Sequence, residues 1–149
     1  MILKELIPLF ERDLLKLKEE IGLYGNEGSI WSIQENISNS GGNLCLHLCG
    51  NLDHFIGAVL GNTGFVRDRD SEFTRKGITA GELQSGIDST IVTVNRTLHA
   101  LNEEDLNKEF PLQKHGQTVT TAHMLLHLLT HLNYHLGQVN YHRRMIIKG

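Results

Sequence analysis

Proline and cysteine are both scarce, with two of each among 149 residues. So few prolines leave long windows free to be helical. Cys45 and Cys49 are four positions apart and could not staple distant segments. On one helix face they would also be poorly placed for a structural disulfide. That usage fits a reducing compartment, and a cytoplasmic location is expected. No uninterrupted run of about 18 apolar residues exists, so a membrane span is not expected. The N-terminus also lacks a secretory pattern. An excess of positive charge is missing too: 14 Lys plus Arg against 17 Asp plus Glu give a formal charge of −3. That balance argues against a broad nucleic-acid footprint, and Arg143-Arg144 makes only a small terminal patch. Apolar content of 40% and charged content of 21% place the chain among folded globular proteins. Its length fits one domain over residues 1–149.

Helical periodicity is present, in four windows. Leu3, Leu6, Phe10, Leu14, Leu17 and Ile21 make one apolar stripe, with Pro8 marking a separate first turn or a kink. Ser40 or Asn39 can cap a second helix over about 42–60, with Leu44, Leu48, Leu52, Phe55, Ile56 and Val59 as its stripe. Thr79 followed by Glu82 is a capping-box pattern opening a third, along which Leu83, Ile87, Ile91, Val94, Leu98 and Leu101 recur. The fourth runs from about Thr120 to His142 through Leu125, Leu128, Leu132, Leu136 and Val139. Between windows, Ile30, Trp31 and Ile33 are expected to fold back on the core, as are Phe110, Pro111 and Leu112. Four stripes that need one another for burial predict an all-α four-helix bundle with long connectors.

Histidine is what the chain has in excess, nine in all. Five lie on the fourth window: His123, His127, His131, His135 and His142. Steps of four residues at about 100° each drift by about 40°, so this ladder winds around the helix. His123 then points outward, while His131 and His135 approach the edge of the apolar face. Those two are the metal-ligand candidates, since imidazole suits borderline divalent ions. A catalytic ion commonly takes three protein ligands and keeps an exchangeable position. The third can come from the second helix, where His47 and His54 share a polar edge with Asn51. Cys45 and Cys49 fall nearer the apolar stripe and read as small buried hydrophobes. His99 and His115 read as surface or connector residues.

The segments Asn43-Leu44-Cys45-Leu46-His47-Leu48-Cys49-Gly50-Asn51, Phe65 through Phe73, and His131 to His135 followed by Gly137-Gln138 occur in that order. With them the chain resembles the DinB/YfiT-like superfamily over nearly its whole length, and most of all a small bacterial branch of it. The resemblance implies an up-down-down-up four-helix bundle, often a homodimer. It also implies a metal pocket made from one second-helix histidine and an HxxxH pair on the fourth helix. Those positions match His47, His131 and His135, with His54 the rival for the first slot. The implied ion is zinc or nickel. Similar proteins are metal-dependent thiol transferases or isomerases that use low-molecular-weight thiols, and their chemistry rests on a metal-activated thiol or water.

Two functional classes follow. One is a divalent-metal-dependent enzyme acting on a small molecule, as a thiol transferase, isomerase or hydrolase. The other is a non-enzymatic metal-binding or stress-associated dimeric module. Arg67, Asp68, Arg69, Asp70 and Glu72 are candidates for orienting substrate or for subunit contacts. A solvated network of alternating charges is the simpler expectation for that run. Tyr134 and Gln138 flank the histidine pair and could buttress it. The segment His131 to His135 lacks the Glu that a zincin places after its first histidine, which excludes that peptidase reading.

Overall fold

The computed structural model describes residues 1–147. The apolar stripes become four long helices: α1 (Ile2–Gly22), α2 (Gly41–Leu52), α4 (Ala80–His99) and α5 (Thr121–Ile146). A short α3 (Arg69–Thr74) lies between α2 and α4. Three of the long helices open on side-chain caps. The hydroxyls of Ser40, Thr79 and Thr120 accept from the backbone N–H of Asn43, Glu82 and His123. Among the described residues there is no strand; the only bridges are the isolated pairs Glu109 with Thr120 and Lys114 with Gln117.

Pro8 neither kinks off a separate turn nor ends α1, which is helical throughout. Its ring sits on the solvent face. There, water can satisfy the Lys4 carbonyl that lacks a donor. All six residues of the α1 stripe are buried. The second window covers its expected span but changes character, because α2 passes at Asp53 into a π-helical segment, Asp53–Leu60. Two expected packing groups are only partly packed. Ile30 is buried, but Ile33 is 50% exposed. Phe110 is buried and held by its backbone bond to Val119, while Leu112 and Pro111 lie outside the core. Trp31 is half-buried and packs on the core, its Nε1 donating to the Ile78 carbonyl at 3.2 Å, so in the first group only Ile33 turns away.

Helix α1 packs on α4 and α5, and α2 packs on the same two from the other side, so α1 and α2 are diagonal. Polar contacts fix the directions. The end of α1 meets the start of α4 through Gln84 and the Lys18 carbonyl, and the Leu3 N–H donates to Glu103 beyond the end of α4. Those two helices are antiparallel. Asn133 reaches Asp13 and Asn140 reaches Glu20, so α5 runs parallel to α1. Gly41 at the start of α2 lies against Tyr24 and His142, so α2 runs antiparallel to both α1 and α5. The bundle is therefore up-down-down-up.

Two carboxylates of α1, Asp13 and Glu20, are buried against α5. Burial alone would raise the Glu20 pKa. Hydrogen bonds from Arg143 (2.6 Å) and Asn140 (2.8 Å), with the charges of Arg143 and Lys16, outweigh it and hold that pKa below the usual value.

Candidate metal centre

Helices α2 and α5 face each other with His47 on one and His131 and His135 on the other. One nitrogen from each imidazole falls within 4.8 Å of the others, making a triad capable of coordinating a divalent ion. His47 is buried, and the α5 pair is half-buried. The ring centroids of His131 and His135 are 4.6 Å apart, as the one-turn step dictates. His47 Nε2 and His131 Nε2 stand 3.2 Å apart. Tetrahedral coordination with Zn–N bonds of about 2.0–2.1 Å would separate neighbouring nitrogens by about 3.3 Å, so the pair suits a shared ion.

The tautomers strengthen that fit. Glu72 Oε1 lies 3.0 Å from His47 Nδ1 and, as a carboxylate, can only accept. It fixes the proton on Nδ1 and leaves the Nε2 lone pair aimed at His131. His131 Nδ1 is buried with no partner among the described residues. If His131 carries its proton on Nε2 it satisfies His47 and leaves Nδ1 a bare acceptor. If the proton is on Nδ1, two lone pairs face each other across 3.2 Å. A cation between the rings resolves the second case. His135 Nδ1 is held by Gln138 Oε1 at 2.6 Å, which leaves its Nε2 free to ligate. Tyr134, beside it, is exposed.

Burial pulls the His131 pKa down to about 4, with the neighbouring His135 and His47 adding to the shift. Burial also lowers that of His47, and outweighs the opposing hydrogen bond and charge of Glu72. Both rings are therefore neutral at neutral pH, the form that binds metal.

The connector that carries Glu72 is not a solvated charge network. Glu72 is only 5% exposed. Arg67 grips it through Nε (2.8 Å) and Nη2 (2.9 Å). The carboxylate seats on Gly50 of α2, where any Cβ would collide with Glu72. Asn43 ties the same segment down, donating to the carbonyls of Glu72 (3.0 Å) and Arg75 (2.9 Å). Asp68 caps α3 by accepting from the Ser71 N–H, and Asp70 is exposed. Arg69 stacks over Phe73, whose ring lies 4.9 Å from that of His47. Alternating signs thus resolve into one buried clamp and several separate local roles.

His54 does not join the triad. Seven residues beyond His47 it is about 10 Å further along the axis, too far to share an ion, and its ring packs on Phe55 instead. Cys45 is buried and Cys49 half-buried, both outside the cluster. The hydrogen bond with Cys49 and burial push the Cys45 thiol pKa up, as befits a core residue. His123 is exposed, and His127 lies beside His131 with centroids 6.2 Å apart.

Periodicity could not reveal the Glu72–Arg67 clamp. The one local signal was Gly50 inside an apolar helix, which marks a close approach. Spacing also gives no sign that His142 is structural. It is 3% exposed and fully paired: Nε2 donates to the Ser32 carbonyl (2.8 Å) and Nδ1 accepts from the Tyr24 hydroxyl (2.6 Å).

Fold and triad together define a class, an all-helical domain able to hold a divalent ion between two helices, consistent with a DinB/YfiT-like metal-binding fold. The chain belongs to the family described as "Protein of unknown function (DUF1572)", whose model matches residues 10–149. No curated protein matches the sequence.

Proposed function

We propose that this protein is a divalent-metal-dependent enzyme acting on a small molecule, with His47, His131 and His135 as the ligands of zinc or nickel. The observation that carries the reading is the set of three imidazole nitrogens within 4.8 Å, one of them on a ring backed by a carboxylate. When bound, such an ion supplies Lewis acidity that lowers the pKa of a thiol or water. Three protein ligands leave a position for that group. The resemblance to thiol-using proteins favours transfer or isomerisation with a low-molecular-weight thiol.

The chain's own residues have separable tasks in this reading. Glu72 keeps the His47 proton on Nδ1 and so presents Nε2, the usual carboxylate–histidine arrangement behind a metal ligand. Arg67 holds Glu72 in orientation through two hydrogen bonds. Gln138 does the same for the His135 tautomer. A cavity of about 380 Å³ opens beside His47 and His131, large enough for a small substrate.

The test is the metal-to-protein ratio of chain purified without an affinity tag. Roughly one equivalent is expected in the native protein, and His135→Ala should lose both the ion and turnover of thiol-conjugation substrates. Stoichiometric metal retained by folded His135→Ala overturns the ligand assignment. A loaded protein without turnover leaves the metal-binding module as the better reading.

A further inference from the structure

The cavity beside the triad has a lining whose chemistry is one-sided. No aspartate or glutamate borders it among the described residues. Arg67 contributes no free charge, being spent on Glu72 through two short bonds. Arg69 and Lys114 also line the cavity and form no ion pair among the described residues. Phe55, Phe110 and Leu128 supply apolar wall to the same cavity. At the helix α2 side sits Asn51, 8% exposed, whose Oδ1 has no hydrogen-bond partner. A buried carbonyl oxygen left unpaired carries a desolvation cost, and what it lacks is a donor.

We infer that this cavity is a receptor for a small carboxylate-bearing molecule with an apolar body and an O–H or N–H donor. The carboxylate lies toward Arg69 and Lys114, the body lies along Phe55, Phe110 and Leu128, and the donor meets Asn51 Oδ1. The inference names the substrate class for the proposed enzyme and rests on that reading for its catalytic meaning, but the binding itself does not require the ion.

Calorimetry with three probes tests this, on zinc-loaded and on metal-free protein. The probes are para-hydroxyphenylpropionate, its amide, and the para-methoxy acid. The hydroxy acid should bind about tenfold more tightly than the amide, which lacks the charge, and several-fold more tightly than the methoxy acid, which lacks the donor. In the surface double variant Arg69→Gln, Lys114→Gln the acid should fall to the amide's affinity while zinc content is unchanged. Equal affinity for acid and amide in the native protein overturns the inference. So does acid binding that requires zinc and ignores the double variant, because the carboxylate would then be ligating the ion. If no zinc is held yet the ranking persists, the receptor stands and the metal proposal falls. If zinc is held and the ranking is absent, the receptor alone falls.

Discussion

Helix α5 carries two packed histidine environments, and they are opposites. At its C-terminal end His142 is saturated, with Tyr24 on one ring nitrogen and the Ser32 carbonyl on the other. Eleven residues earlier, His131 faces another imidazole and keeps an orphan nitrogen. Both rings pack near α2, and neither is free in solvent. His47, a ligand candidate, is 6% exposed and His142 3%, so residue type and burial do not separate a structural histidine from a ligand candidate. Hydrogen-bond saturation does, because a fully paired ring has nothing left to give an ion.

The comparison can be broken most forcefully at Glu72. Glu72→Gln removes the charge behind His47, and zinc affinity should fall about 10–100-fold by competition with a chelating dye. Unchanged affinity would mean that the clamp only braces the connector. At the saturated end, Tyr24→Phe deletes the donor to His142 and strands a buried acceptor. Urea unfolding should show a loss of about 1–3 kcal/mol, with metal content untouched. A loss of metal there would erase the distinction between the two environments.

The smallest effect lies in the pH dependence. His131 has its pKa drawn down to about 4 by burial, so its neutral form is favoured in the folded metal-free protein. The unfolded chain binds more protons, so this contribution is present above the ordinary value of 6.5 and is lost as pH falls toward 4. Asp53 works in the other direction. Burial raises its pKa from 3.8 to about 6 against the hydrogen bond from Thr90, so its contribution is lost as pH rises through that window. Asp53→Asn should therefore steepen the acid loss of stability seen by urea titration of metal-free protein between about pH 4 and pH 6. An unchanged slope would show that Asp53 is solvated enough to titrate normally.

Much of the scaffold was legible because it depends on local rules. The α1 stripe, the caps at Ser40, Thr79 and Thr120, and the helix angles that turned His131 and His135 toward the seam are each set by residues within a few turns. Long-range contacts decided the rest. Helix α3 is too short to be stable alone and exists where Asn43 receives its carbonyls and Gly50 receives its carboxylate. Sequence alone left His47 and His54 open on one edge, whereas in the structure His47 lies with His131 and His135 and His54 packs on Phe55. Ile33 and Leu112 were misplaced because apolarity says that a side chain gains from burial, not that a partner surface is within reach.

Gly50 has one more consequence. Since Glu72 rests on bare main chain there, no rotamer change in α2 can let it drift. The connector is a peripheral segment, yet its carboxylate is coupled to the most rigid kind of neighbour a fold offers. Thermal jitter at the His47 ring should then follow that of the helix pair itself, and mobility elsewhere in the loop need not blur the spacing of the three imidazoles.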